Sequence, residues 1–450
     1  MDGNDLVADF ITGLTWERLP AAVQHKLRLI LLDALGATLA GTLTPVSRIT
    51  AGYAAETWPG EQATILLQGR RASAIGAAFA NGYAANGLDI DDCGIYTKGH
   101  PGAQIFPTAL ALAESLGLGG AEMLAAMAAG YEVAHRAARI WHATHEVYQA
   151  CGSWGSVACA AVAANLYRLT SAQTCHALGI AEYYAPNLPM MRDIDHPAMV
   201  KHGIGWGAMT GITAAQLARS GFTGIPSLFG QERFLDWVSD IGRQYILVDG
   251  VIFKEYAACA WGHTAFDAAR QLVREHGIAP ADIAHIRIDG FHETVRLGTA
   301  LPTTTEQAQF SVAWPLAALL LDGELGPEQM LESRFGDERV RDLASRVELL
   351  ESDEFSELYR QFVVGAPGGR YLSAVTITLH DGRAFSSGPV EGGINYPQGW
   401  NAGQVERKFR RLVRYAAAGD GAYVDRLVDL VWHFDQVPDV HELTRPRTVI

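Results

Sequence analysis

The spacing of apolar residues changes near residue 280, and this change constrains the fold more than any other feature. Up to residue 278, apolar side chains recur every three or four positions in segment after segment, which predicts stacked helices. Beyond it, Ile283 to Gly290 and Val375 to His380 alternate with period two, which predicts strands. We therefore predict a mainly α fold, in which a large all-helical domain spans residues 1–278, residues 395–450 return to it, and a smaller α+β lid domain is inserted at 279–394.

The charge balance and the cysteines exclude several classes of protein. The 450 residues carry 49 Asp and Glu against 35 Lys and Arg, and the net charge of -14 disfavours nucleic acid or an anionic membrane as a partner. No run reaches the roughly 18 apolar residues of a membrane span, and the acidic start is unlike a signal peptide. The cysteines form no C-x-x-C pair, which argues against a disulfide framework or a zinc site. We expect a cytoplasmic globular protein.

A polar loop between two helix-like segments, residues 81–107 (NGYAANGLDIDDCGIYTKGHPGAQIFP), concentrates ionisable side chains. The carboxylates of Asp89, Asp91 and Asp92 lie close together, and His100 follows just before a Pro-Gly turn. Carboxylates this close repel one another when ionised, so one holds a proton at neutral pH or a cation neutralises the group. This pattern favours a proton-transfer site, although the same residue types are also typical of an ordinary helix cap and turn.

The order of residues in this loop resembles the MmgE/PrpD family. The segment NGLDIDD, followed by HPG and then by a helix rich in Ala and Leu, is similar to the signature loop of that family. Members of the family dehydrate, decarboxylate or epimerise small carboxylic acids. The resemblance implies a lyase or isomerase that transfers a proton next to a carboxylate, takes a small anionic carboxylate as substrate and forms a homodimer. We expect activity to need no metal and no organic cofactor, because the polar loops carry enough acids and bases for proton transfer and the sequence shows no closed set of Cys/His ligands and no nucleotide-binding loop.

A second motif places Lys201 before a glycine-rich turn that opens a helix, in the segment 199–224 (MVKHGIGWGAMTGITAAQLARSGFTG). Backbone N–H groups at a helix start, beside a cationic side chain, form a good seat for a carboxylate. Spacing alone is equally compatible with a solvated lysine and a tight turn. The MmgE/PrpD family also has a lysine here, and the resemblance therefore implies a functional role for Lys201.

A third motif, at residues 253–269 (FKEYAACAWGHTAFDAA), resembles the family pattern K-x-Y-x-x-C-x-x-x-H. Lys254, Tyr256, Cys259 and His263 match it residue by residue. A histidine at the start of a helix tends to stay neutral, because the helix dipole disfavours the imidazolium, and a neutral imidazole can act as a base. The alternative is that this histidine is a packed or capping residue.

Two positions depart from the family pattern. Trp314 stands where the family has a tyrosine, and Glu146 stands where it commonly has a histidine. The pocket has thus lost one hydroxyl donor and gained an anion. We expect a triply charged acid such as 2-methylcitrate to be disfavoured, because an unpaired carboxylate facing Glu146 is costly. An acid with fewer charges, or one with an amine, is the expected substrate.

The residues and the resemblance together give a set of predicted roles. The predicted catalytic residues are Asp89, His100, Lys201 and His263. The predicted substrate-binding residues are Lys254, Tyr256, Glu146 and Trp314. In this scheme the lysines hold carboxylates, the histidines carry protons, and the aspartate orients a histidine or acts as an acid.

Three other interpretations stay open. A metal-dependent hydrolase would use the Asp89–Asp92 loop, with Asp91, Asp92 and His100 as ligands. The DIDD segment also fits the D-x-D-D pattern of protonating terpene cyclases, although the loop lacks the aromatic residues of a carbocation pocket. A helical protein that binds a ligand without catalysis is the third.

Overall fold

The computed structural model describes residues 2–363, 366–391 and 400–445; parts of the predicted lid domain and of the returning segment therefore lie outside the described residues. The helices are α1 (Gly3–Gly13), α2 (Ala21–Gly41), α3 (Pro45–Thr57), α4 (Ala74–Ala85), α5 (Gly102–Leu116), α6 (Gly120–Thr144), α7 (Cys151–Leu166), α8 (Ser171–Tyr183), α9 (Met190–Asp195), α10 (Ile204–Arg219), α11 (Leu235–Val238), α12 (Leu247–Gly250), α13 (His263–His276), α14 (His292–Leu297), α15 (Thr305–Gln309), α16 (Ala313–Asp322), α17 (Pro327–Met330), α18 (Glu338–Ala344), α19 (Asp353–Val363), α20 (Ala402–Ala416), α21 (Gly421–Trp432) and α22 (His441–Thr444). The strands are β1 (Ala63–Ile65), β2 (Arg70–Ala72), β3 (Cys93–Gly94), β4 (Val251–Ile252), β5 (Ile283–Gly290), β6 (Val347–Glu351), β7 (Leu372–Leu379) and β8 (Ala384–Glu391).

The first of two packed cores is formed by the N-terminal helices. Small residues let these helices approach closely, as sequence analysis predicts for the Ala-rich segments. A Cβ added at Gly211 of α10 would lie 2.5 Å from the Cβ of Cys159 on α7, so these backbones touch. Helix α7 is buried almost throughout, because its neighbours cover every side.

The second core lies around a four-stranded sheet with strand order β6-β5-β7-β8. Strand β5 pairs in parallel with β6 and antiparallel with β7, which pairs antiparallel with β8. The period-two pattern of β5 and β7 places Ile286, Ile288, Val375 and Ile377 in this core. Helix α13 packs against β7 and β8, and α16 packs against α13 and α18.

The C-terminal helices pack back onto the first core. Val405 and Phe409 of α20 are buried there, and a Cβ added at Gly36 of α2 would lie 3.1 Å from the Phe409 ring. Leu412, one turn further along α20, packs in the second core. Helix α20 therefore contacts both cores.

The acidic loop after α4 lies where the two cores meet. Leu88 and Ile90 of this loop pack in the second core together with Ala37 and Ala40 of α2. The short strand β3 follows and pairs with β4, with Cys93 opposite Ile252. This pairing brings the segment that carries Lys254 against the acidic loop, although the two are far apart in sequence.

The structure confirms the mainly α fold. Strand β8 and helix α19 escaped sequence analysis; β8 carries Ser, Gly and Pro, which rarely mark a strand. The domain boundary at residue 278 stays a prediction, and α13, which lies before it, packs on the sheet. Within the described residues no single helix is long and apolar enough to cross a membrane; α2 and α3 pass that test only as a pair bent by 91°.

We predict that Gly41→Ala destabilises the protein, whereas Gly52→Ala does not. A Cβ at Gly41 would lie 1.8 Å from the carbonyl oxygen of Ala84, so α2 and α4 must separate, at a cost of about 1–3 kcal/mol or more. Gly52, on α3, serves as the matched control, because a Cβ added there would have no neighbouring atom within 4 Å. Gly52→Ala should raise the free energy of unfolding by roughly 0.5–1 kcal/mol, since Ala favours the helix over Gly. Denaturant unfolding measures both; equal stability of the two variants would contradict the close contact.

Candidate functional site

Asp89 is a buried carboxylate that Lys254 neutralises. Its side chain is 1% exposed, and the Lys254 Nζ donates to Asp89 Oδ1 at 2.8 Å and to the Asp89 carbonyl oxygen. Burial alone would raise the pKa of Asp89, but the positive charges of Lys254 and His100 hold it well below the usual range. The backbone at Asp89 has φ of 51°, a left-handed conformation that costs roughly 1–3 kcal/mol outside glycine. Lys254 therefore holds a strained loop as well as a charge.

The other two carboxylates of the loop each accept a hydrogen bond from a neutral donor. Asn86 Nδ2 donates to Asp91 Oδ1 at 2.9 Å. Asp92 accepts from the Tyr131 hydroxyl at 2.6 Å and from the Gly102 backbone N–H at 2.9 Å. Burial and the nearby carboxylates raise the pKa of Asp92 to about 7. Asp92 is therefore the carboxyl of this loop that holds a proton most readily near neutral pH.

His100 lies between the carboxylates with an acceptor at each ring nitrogen. Its Nε2 is 3.2 Å from Asp89 Oδ1, and its Nδ1 is 3.0 Å from the Asp92 carbonyl oxygen and 3.1 Å from Asp91 Oδ2. Burial alone would lower the pKa of His100, but the charges of Asp91 and Asp89 outweigh it and raise this pKa. The geometry therefore favours the doubly protonated ring, which can donate a proton.

A second histidine, His202, lies against His100. The two rings stack with centroids 5.5 Å apart and planes at 5°. His202 Nδ1 is 2.7 Å from Asp193 Oδ2, and the same oxygen accepts the His202 backbone N–H at 2.9 Å. Lys201, His202 and Gly203 all have positive φ, from 42° to 65°, so a strained turn presents this ring to the site.

Lys201 is close to the site but fully buried. Its Nζ donates to Gln309 Oε1 at 2.6 Å and lies 5.6 Å from the centroid of the Phe310 ring. Gln309 in turn donates to the Gly87 carbonyl oxygen at 3.0 Å, just before the acidic loop. The solvated lysine that spacing alone allowed is therefore not observed, and truncating Lys201 would leave a void and an unpaired amide oxygen.

A cavity of about 340 Å³ opens beside the two histidines. Aromatic and aliphatic side chains such as Trp261 and Met190 form part of its wall. The carboxylate, lysine and histidine side chains on its wall are Asp89, Lys98, His100, His142, His145, Glu146, His202 and Glu293, and Cys93, Tyr148, Cys259 and Tyr359 also line it. Asp89, His100 and Glu146 of the predicted residues thus share one cavity, and Lys254 reaches it through its contact with Asp89.

Three predicted residues lie away from this cavity. His263 Nε2 is 3.0 Å from the Ala258 carbonyl oxygen, and burial together with Lys254 lowers its pKa to about 3. The Tyr256 hydroxyl donates to Asp267 at 2.5 Å, and both Tyr256 and His263 line a separate pocket of only about 20 Å³.

Trp314 is completely buried, and its indole N–H donates to the Gln329 carbonyl oxygen at 3.0 Å. Its indole is thus used in packing, and the expectation that a donor is missing from the pocket at this position does not describe the structure.

Three donor groups could together hold a metal ion. One ligand atom from each of Asp89, His100 and His202 lies within 4.8 Å of the others. Asp89 is already neutralised by Lys254, however. The Lys254 ammonium lies 2.8 Å from Asp89 Oδ1 and would repel a divalent cation bound to this carboxylate. The set fits a metal by residue type, and the charge balance disfavours it.

Several residues of the site are not among those predicted from the sequence. His202 follows Lys201 in the second motif, and its position just before the glycine-rich turn is the one signal in the sequence that points to it. Gln309 and Lys408 carry no local motif, because each reaches the acidic loop from far along the chain. Only tertiary structure reveals such partners.

Comparisons with known proteins agree with the signature loop. Residues 5–244 match the MmgE/PrpD N-terminal domain and residues 256–433 match the MmgE/PrpD C-terminal domain. The chain is 26% identical to a cis-aconitate decarboxylase of Homo sapiens over 470 residues, which cover 97% of this chain and 92% of that protein. It is 24% identical to the cis-aconitate decarboxylase-like protein oryM of Aspergillus oryzae over 483 residues, which cover 97% of this chain and 95% of that protein.

We predict that Asp89→Asn lowers the pKa of His100, because it removes a negative charge 3.2 Å from Nε2. Nitrogen-15 NMR of histidine-labelled protein, titrated with pH, measures this. Asp381→Asn, which removes an exposed carboxylate paired with Arg383, is the control. Since a raised histidine pKa favours the protonated ring, an activity that needs this acid falls as pH rises through that pKa, and the variant moves the fall to lower pH. If the pKa of His100 is the same in Asp89→Asn as in the wild type, the charge of Asp89 does not stabilise the protonated His100 ring.

Proposed function

The chain belongs to the MmgE/PrpD family, and we propose that it decarboxylates a small polycarboxylic acid by proton transfer from His100, without a metal or an organic cofactor. The family and the relatives support a lyase-type reaction on small carboxylic acids. The observation that carries the proposal is the buried His100 ring, held between two carboxylates on the cavity wall. Dehydration and epimerisation are the competing outcomes.

The cavity suits a small anion. Its volume of about 340 Å³ is at the lower end for ligand pockets, which run from about 300 to 1,000 Å³. Lys98 lies on its wall and has no carboxylate within ion-pair distance among the described residues. We assign it one substrate carboxylate, since Lys201 and Lys254 are already bonded to Gln309 and Asp89.

The reaction proceeds through negative charge that develops next to a carboxylate. When carbon dioxide leaves, the C–C bonding electrons stay on the substrate carbon, and His100 delivers its Nε2 proton to that carbon. The positive charge of Lys254 offsets that of Asp89, which limits the negative charge beside the developing carbanion while this happens. Exchange with solvent then returns the proton to His100.

The metal-dependent hydrolase is the second candidate, and the donor set of Asp89, His100 and His202 is the observation that favours it. The two candidates differ in their response to chelation. Exhaustive dialysis against EDTA should leave turnover intact under our proposal. Loss of turnover that a divalent ion restores would establish the metal enzyme instead.

We predict that proton NMR in deuterated water, with a panel of di- and tricarboxylic acids, shows carbon dioxide loss from at least one acid. His100→Gln should lower kcat at least about a hundredfold, the lower end for loss of an acid or base. His176→Gln is the matched control and should have the wild-type kcat. The His176 ring lies outside the cavity, with its Nδ1 3.3 Å from the Gly224 carbonyl oxygen. Full activity of His100→Gln would refute the assignment of the acid, and binding without any turnover would favour a non-catalytic protein.

Glu146 supports a preference among acids. It is exposed on the cavity wall, whereas Trp314 is buried and does not line this cavity. A carboxylate at the wall repels a third substrate carboxylate. We therefore propose that the enzyme prefers a dicarboxylate or an acid that carries an amine.

We predict that Glu146→Gln raises kcat/KM for cis-aconitate relative to a dicarboxylate by about tenfold, equivalent to about 1.4 kcal/mol. The ratio between two substrates in one variant serves as its own control for stability and active concentration. Competition assays measure it directly. A ratio unchanged from the wild type would show that Glu146 does not select by charge.

The homodimer and the cytoplasmic location stay predictions. The homodimer is supported by an aromatic patch in which Tyr53 and Trp206 are 46% and 43% exposed and each contacts Phe79. Exposed aromatic side chains grouped around one buried ring form an apolar surface patch, and such patches mark protein interfaces.

A further inference from the structure

Helix α20, from the C-terminal part of the chain, inserts a lysine beside the acidic loop. Lys408 is 4% exposed, and its Nζ lies 2.5 Å from Asp33 Oδ1 and 2.5 Å from the Ile90 carbonyl oxygen. Asp33 is on α2 and is 1% exposed. The ammonium group thus ties two helices to the residue between Asp89 and Asp91.

Three backbone carbonyls of the loop accept from three different ionisable side chains. Lys254 donates to the carbonyl of Asp89, Lys408 to that of Ile90, and His100 to that of Asp92. A left-handed backbone at Asp89 persists only where its surroundings fix it. These donors provide that restraint. Lys408, on α20, is the one of the three that bonds to neither the Asp89 nor the Asp91 carboxylate.

We propose that Lys408 is a positioning residue, which fixes the 89–92 loop so that His100 stays between Asp89 and Asp91. The inference rests on the proposed function, in which His100 delivers the proton. It also means that the site is complete only when helix α20 is packed against the acidic loop. A displacement of about 1 Å at a catalytic group can cost a hundredfold in rate.

The test must avoid leaving a charge buried alone, because removing one partner of a buried ion pair is strongly destabilising. The double variant Lys408→Met/Asp33→Asn removes both charges together. Its control is Glu132→Gln/Arg136→Met, which removes another fully buried pair, 2.6 Å apart and part of α6. Arg136 also contacts Asp240 at 2.7 Å, but that carboxylate is partly exposed and water can solvate it in the control. Any general effect of losing a buried ion pair appears in both.

We expect Lys408→Met/Asp33→Asn to lower kcat at least about tenfold while KM changes less than about threefold, because loop displacement misplaces the acid rather than the cavity wall. The control should keep the wild-type kcat per folded molecule. Wild-type kcat in the Lys408 variant would overturn the proposal, as would an equal loss in both variants.

A second readout does not depend on finding the substrate. The groups that face His100 are Asp89, Asp91, Lys254 and His202. The double variant changes no net charge, so a fall in the pKa of His100 by at least about one unit reports that the carboxylates have moved away from the ring. An unchanged titration by nitrogen-15 NMR overturns the inference. If no acid is turned over by the wild type, the proposed function fails, and this titration still decides the role of Lys408.

Discussion

The structure of the site depends on one buried ion pair, between Asp89 and Lys254. A carboxylate this deeply buried persists as an anion only if a cation lies against it. Lys254 meets that need from a segment that β3 and β4 hold in place. The carboxylates of Asp89 and Asp91 then favour the protonated ring of His100, which is the group to which we assign the proton transfer. Lys254 favours the charged form of Asp89 and so holds the pKa of that carboxyl low, and the charged carboxylate in turn raises the pKa of His100.

The site is assembled from distant parts of the chain. Asp89 and His100 come from the region that matches the N-terminal family domain, whereas Gln309 and Lys408 come from the region that matches the C-terminal domain. Gln309 and Lys408 each donate to a carbonyl of the acidic loop or its neighbour. The loop therefore takes hydrogen bonds from both matched regions of the chain, and the geometry of the site depends on how the two cores pack together.

Much of the fold and part of the site could be predicted from the sequence. The spacing of apolar residues predicts the long helices, because each buries one face, and strands β5 and β7, because apolar and polar residues alternate along them. Strand β8 lacks such a pattern of apolar residues. The acidic loop was recognisable since its residues are contiguous. The positions of Tyr256 and Trp314 were not, because a motif gives spacing along the chain and leaves open the direction of the side chain. Lys408 has no sequence signal, since Asp33 lies 375 residues away.

The central claim, that His100 delivers the proton to carbon, is tested most directly by decarboxylation in deuterated water with the position of the label read by NMR. The account predicts one deuterium per product at the carbon that lost carbon dioxide, on a single face, with its rate of appearance reduced along with turnover in His100→Gln. A product without deuterium at that carbon, or one labelled equally on both faces, would contradict it.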